Sequence, residues 1–273
     1  MGSGSPTTLS DGRLAARWAE LRQQGRPALI PYITAGYPDA EQTRAVLRGA
    51  ARAGADMLEL GVPWSDPVAD GPVIQASSHA ALAGGMSLPG VLDLLEAAPP
   101  ELPVILFSYL NPILAYGPGR LAKDARRRGA AALLVTDLPV GADPAVEREL
   151  KSAGLPLVRL VAPTSPAARV AAIASASEGF VYLLARTGVT GAHTDIGGEL
   201  EDRIALVRQA TRLPVAVGFG IRAGEQAARV GRVADGVAVG TALVERMGSG
   251  GAAAALGWLG ELRTALDGAR RAA

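Results

Sequence analysis

The feature that most constrains this chain is a repeated alternation. Eight short runs of nearly unbroken apolar residues lie at 27–34 (PALIPYIT), 56–60 (DMLEL), 103–109, 131–136, 155–161, 180–185, 214–220 and 236–240, separated by Ala-, Leu- and Arg-rich stretches with helical spacing. A strand with one wet face alternates apolar and polar residues; these runs do not, so both faces are expected to be covered, as in a parallel sheet. Parallel neighbours need long crossovers, and the intervening helical stretches supply them. Eight such units in 273 residues predict an α/β fold, a closed (β/α)8 TIM barrel, with an open doubly wound sheet as the lesser alternative. An extra N-terminal helix over 9–24 is expected to cover the bottom and a helix over 250–273 to close the barrel. No Pro/Ser-rich linker divides the chain, which reads as one domain over 1–273, with residues 1–8 as a disordered tail.

Composition removes several classes of function. The 27 basic and 26 acidic side chains leave a net charge of +1, so no strong field marks a nucleic-acid or polyanion binder. Without cysteine there is no disulfide and no thiolate metal site, which fits a reducing cytoplasm. The first residues lack an apolar signal region, and no apolar stretch approaches the twenty or so residues of a membrane span. The expectation is a soluble, cytoplasmic enzyme of small molecules.

In such a barrel, chemistry sits on the loops that follow the strands. The stretch LELGVPWSDPVADGP (58–72) ends the second run with Glu59 and returns with Asp70. A carboxylate entering a barrel mouth loses solvation, so its pKa rises toward neutrality and suits proton transfer; the alternative for Glu59 is an ion pair with a rim arginine. Asp70 alone reads equally as part of a turn opening a helix. At the other end of the chain, glycine clusters follow runs six, seven and eight: RTGVTGA (186–192), VGFGI (217–221) and AVGTAL (238–243). Glycine backbone approaches phosphate oxygens closely, and a helix beginning at Thr241 adds N–H groups and the positive end of its dipole. Both lysines, Lys123 and Lys151, fall in helices, away from any mouth, which argues against a Schiff-base mechanism. Of the two histidines, His79 reads as a solvated helical residue, and His193 belongs to a mouth loop where ligand contact stays open.

Taken with PYITAGYPD, NPILAYG, DLPV, VAPTSP, RTGVTGA and GFGI, the 58–75 stretch LELGVPWSDPVADGPVIQ resembles the alpha subunit of tryptophan synthase, in order from about residue 31 to 244. The resemblance implies retro-aldol cleavage of indole-3-glycerol phosphate to indole and glyceraldehyde 3-phosphate, with neither metal nor cofactor. By the same carry-over Glu59 and Asp70 are the catalytic pair, and the phosphate sits near Gly191, Gly220 and Gly240, with Thr241 donating its hydroxyl. Tyr32, Tyr109 and Tyr182 surround the substrate, and Thr190 helps order a loop over it. Phe219 lies beside them at a strand end; Phe107 reads as core. Ordinary barrel packing is the alternative for each ring. Thr241 stands where serine is common, Ala185 replaces a frequent serine, and Arg222 departs from the pattern, either adding charge near the phosphate or pointing to solvent.

The resemblance also implies a partner, a pyridoxal-phosphate-dependent beta subunit in an alpha2-beta2 complex. Pro63, Asp66, Asn111 and Pro139 match partner-facing loop positions, although the two prolines are equally readable as loop stiffeners. Two functional alternatives stay open: a stand-alone lyase releasing free indole, and a non-catalytic phosphate-binding regulatory subunit, against which the intact Glu59 and Asp70 argue.

Overall fold

The computed structural model describes residues 12–185, 196–218 and 220–268. All eight apolar runs are strands: β1 Ala28–Thr34, β2 Leu58–Gly61, β3 Val104–Ser108, β4 Ala130–Val135, β5 Leu157–Val161, β6 Val181–Leu184, β7 Val215–Gly218 and β8 Gly236–Val239. Each pairs in parallel with the next, and β8 returns to β1, closing the barrel. The helices, in chain order, are α1 Gly12–Gln23, α2 Ala40–Gly49, α3 Pro72–Ala83, α4 Leu88–Leu95, α5 Leu110–Tyr116, α6 Pro118–Arg127, α7 Pro144–Lys151, α8 Ala167–Ala176, α9 Ile196–Ala210, α10 Gly224–Val233 and α11 Thr241–Asp267.

Strand parity sorts the core into two bodies. Leu29, Ile33, Leu58 and Leu60 point outward and pack under the helices. Ile30, Met57, Ile105, Leu134, Val158, Ala216 and Ala238 fill the barrel interior together with Trp18 of α1, whose ring meets Phe180 at 5.6 Å. Side chains on α1, the expected bottom helix, thus plug the N-terminal end. A buried carboxylate, Asp56, ties that end together. It accepts from the Leu29 N–H at 2.8 Å, from Arg17 at 2.5 Å, from Arg263 of α11 at 3.2 Å and from Arg26.

Two helices were not foreseen. The 88–95 segment begins LPG, poor helix chemistry in its interior, yet Ser87 caps it and Pro89 falls in its first turn, where proline costs nothing. The 110–116 segment, read as a loop at Asn111, is the short helix α5, so Asn111 stands in a first helical turn. The expected closing helix is the second half of α11, which bends at Gly251 (φ 65°), where Gln42 Oε1 accepts from the Ala252 N–H at 2.7 Å. The proposed tail, 1–8, lies outside the described residues.

Candidate active site

Glu59 points inward from β2, directly paired in register with Tyr32 of β1. Its side chain is 0 % exposed, and neither carboxylate oxygen has a hydrogen-bond partner among the described residues. An ionised carboxylate so placed would forfeit hydration without compensation. Burial alone therefore pushes its pKa up to about 8. The expected alternative, an ion pair with a rim arginine, is not what the site contains: no cation answers Glu59 among the described residues.

Asp70 reaches the same site from the loop after β2. It is half-buried, and burial raises its pKa, opposed by a hydrogen bond from Tyr109 Oη to Oδ2 at 3.0 Å. The Tyr109 hydroxyl in turn accepts from the Ala69 N–H at 3.0 Å, so one tyrosine fixes both the carboxylate and the backbone beside it. Burial, and then the negative charge of Asp70, raises the pKa of the Tyr32 and Tyr109 hydroxyls; burial and then Glu59 raise that of Tyr182. All three are held as neutral phenols.

Two glycines make room for these rings. A Cβ at Gly61 would collide with the Tyr32 hydroxyl, and one at Gly218 would stand 2.7 Å from the Tyr182 hydroxyl. Each ring lies over bare backbone on the neighbouring strand. Phe107, read from sequence as core, is instead half-buried and meets Tyr32 edge-on, with ring centroids 5.4 Å apart at 78°. Its parity with Ile105 on β3, and with Tyr109 just beyond the strand, was the available signal, since alternate residues share a face. Leu160 and Leu184, also missed, pack partly exposed against the interior core. Together these side chains make the mouth apolar around two carboxylates.

Gly220 and Gly240 follow adjacent strands, β7 and β8. Gly220 has φ 62°, a backbone that strains any side chain. Gly240 is the N-cap of α11, and the half-buried Thr241 is its first residue, so the helix presents unsatisfied N–H groups there. Arg222 is exposed, as one of its two readings had it, but it is not free. It forms a two-pronged ion pair with Glu245 of α11, at 2.9 and 3.0 Å. Thr190, Gly191, His193 and Phe219 lie outside the described residues. Of the partner-facing positions, Asp66, Asn111 and Pro139 are exposed, whereas Pro63 is buried within the chain.

The family model described as tryptophan synthase alpha chain matches residues 18–257. The chain belongs to that family. The tryptophan synthase alpha chain of Citrifermentans bemidjiense is 47 % identical over 235 residues, covering 85 % of this chain and 88 % of the relative. That of Gloeobacter violaceus is 46 % identical over 255 residues, 92 % of each. Among solved structures, tryptophan synthase from M. tuberculosis superposes with a TM-score of 0.84 at 32 % identity, over 93 % of this chain and 98 % of the other. The alpha subunit from Legionella pneumophila str. Paris does so with a TM-score of 0.84 at 35 % identity, over 94 % and 98 %. As a tryptophan synthase alpha chain, the protein is a carbon–carbon lyase of tryptophan biosynthesis that cleaves indole-3-glycerol phosphate. Membership does not favour the stand-alone and non-catalytic alternatives.

Proposed function

We propose that Glu59 moves both protons of the cleavage while Asp70 holds the indole nitrogen. Neutral Glu59 protonates indole C3, and ionised Asp70 accepts the ring N–H and offsets the positive charge that develops there. The bond from C3 to the glycerol carbon then breaks and its electrons restore the aromatic ring. The hydroxyl on the departing carbon becomes the aldehyde and returns its proton to Glu59. Indole and glyceraldehyde 3-phosphate leave, with Glu59 protonated as it began. Tyr32, Tyr109, Tyr182 and Phe107 offer ring faces to the indole, and Phe219 and Thr190 complete the pocket. Backbone N–H groups at Gly191, Gly220 and Gly240, with the Thr241 hydroxyl, hold the phosphate.

The observation that carries this reading is the isolation of Glu59. A fully buried carboxyl without partners among the described residues, with a pKa near 8, is protonated at neutral pH and poised to give that proton away. Glu59→Gln keeps the volume and removes the transferable proton. Cleavage is expected to fall on the order of a hundred- to ten-thousandfold, with glyceraldehyde 3-phosphate affinity retained by calorimetry. Near-normal turnover in the folded variant would remove Glu59 from the mechanism.

The partner proposed for the rim is a pyridoxal-phosphate-dependent beta subunit in an alpha2-beta2 complex. Val68 (84 % exposed) and Leu114 (48 % exposed) are the exposed large hydrophobic side chains among the described residues. Each follows a proposed contact residue within three positions, Asp66 in the β2–α3 loop and Asn111 in α5; Pro139, after β4, shares the C-terminal rim. Exposed apolar side chains beside proposed contact positions suit a protein interface. No described helix is long and apolar enough to cross a membrane. We place this single-domain enzyme in the cytoplasm.

A further inference from the structure

The loop between β2 and α3 brings Asp70 back over the mouth. Val62, Pro63 and Pro67 anchor it by burial, whereas Ser65, Asp66, Val68 and Ala69 are exposed, so hydrogen bonds must set the backbone beside Asp70. Within the loop, the Val68 N–H donates to Asp66 O at 2.8 Å and the Asp70 N–H to Pro67 O at 3.0 Å. Tyr109 holds Asp70 and Ala69 from one side. One face of α3 meets the loop from another. Gln75 and His79, four residues apart and therefore on one face, both direct nitrogen atoms at loop carbonyls. Gln75 Nε2 donates to Asp70 O at 2.9 Å and, more weakly, to Pro67 O at 3.4 Å. His79 Nε2 lies 2.9 Å from Ser65 O; a carbonyl only accepts, so the imidazole donates from Nε2.

These donors do nothing for the helix itself. A helix N-terminus lacks acceptors for its own N–H groups, and Gly71, its N-cap, supplies none from a side chain. Gln75 offers N–H groups to carbonyls that precede the helix, so it serves the loop. The helix is a firm base for this, since Ile74, Ser77, Ser78 and Ala81 are buried beneath it.

We propose that Gln75 and His79 are positioning residues for the cleavage. They fasten the backbone at 65, 67 and 70 so that the Asp70 carboxylate meets the indole N–H at the height Glu59 requires. The inference rests on the role given to Asp70 above. It separates two properties of the mouth: alignment of Asp70, set from α3, and phosphate grip, set from the loops after β7 and β8.

The test uses the full chain with saturating beta subunit, following release of glyceraldehyde 3-phosphate. Gln75→Met matches volume without donors and is expected to lower kcat on the order of tenfold, because small misplacements of a reacting group are costly. His79→Leu is expected to lower it about threefold, and His79→Gln, which restores a donor, to recover it. Glyceraldehyde 3-phosphate affinity should stay within about twofold throughout, since no phosphate contact changes. Wild-type kcat in Gln75→Met and His79→Leu, or a parallel loss of kcat, affinity and thermal stability, would overturn the positioning role. Asp70→Asn distinguishes the two levels of the argument: full turnover there would defeat the role of Asp70 itself, whereas its loss beside an unaffected Gln75→Met would defeat only the inference.

Discussion

Asp56, just before β2, and Glu59, within it, stand three residues apart, both with fully buried carboxylates, and they have opposite surroundings. Asp56 faces the bottom, where one backbone N–H and three guanidinium groups converge on it. Burial pushes its pKa up, but the Leu29 N–H and the arginines pull against that. At Glu59 nothing among the described residues pulls back, and burial acts alone. The contrast teaches what distinguishes a structural buried charge from a chemical one. Depth is the same for both; the difference lies in whether the lone pairs are already spoken for. A carboxylate saturated with donors is held in one state, while an unanswered one keeps its proton available.

The largest effect expected outside catalysis tests the bottom half of that contrast. Asp56→Ala leaves three arginines facing one another without their shared anion, and breaking such a buried cluster costs about 3–5 kcal/mol. Urea unfolding should report this loss. A variant as stable as wild type would show that the arginines do not depend on Asp56.

The top half makes the opposite prediction for stability. Between its ordinary value of 4.5 and about 8, Glu59 binds a proton in the folded protein that the unfolded chain has released. Stability should therefore fall as pH rises through this window, by about 1.4 kcal/mol per pH unit from this residue, and level off above about 8. Glu59→Gln lacks that slope, so the variant should gain on wild type steadily from pH 5 to 8 in matched unfolding curves. Activity reads the same proton: kcat/KM should drop about tenfold per unit above pH 8. A pH-independent stability difference would mean that Glu59 is ionised inside the fold.

A smaller effect asks whether changes at the mouth spare the scaffold. Gly220→Val should weaken glyceraldehyde 3-phosphate binding roughly tenfold or more by crowding the backbone donors, with about 1–2 kcal/mol of strain from the positive φ. Unchanged affinity would place the phosphate elsewhere. The smallest effect concerns the exposed rim. Asp66→Ala should reduce activation by the beta subunit severalfold while leaving the slow cleavage by the isolated chain intact. Equal losses with and without the partner would move Asp66 from the interface into the chemistry.

Much of this was legible in the sequence because it depends on local pattern. The eight strands follow from continuous apolar runs, and Glu59 follows from a carboxylate placed where a buried strand ends. What escaped depends on contacts between distant residues. Arg222 meets Glu245 twenty-three positions away, across two elements, and no spacing rule announces that. Phe107 was taken for filler because an aromatic in an apolar run looks the same whether the ring ends inside the packed core or at its open edge. The helix α5 escaped because its proline sits where a helix is still beginning and so breaks nothing. Pro63 matched a partner-facing position by motif, yet burial is a property of the whole fold.

The bare backbone beneath the two tyrosines has a consequence for inheritance. Gly61 and Tyr32 occupy one volume between them, as do Gly218 and Tyr182. Any replacement at either glycine adds an atom where a phenol already lies, and no smaller replacement exists. A lineage can leave this arrangement only by trimming the ring first and filling the strand second, passing through a variant with a hole beside its acid. Each pair is therefore expected to be inherited as a unit, with ring and gap retained or lost together, and descendants that keep both rings should keep both gaps.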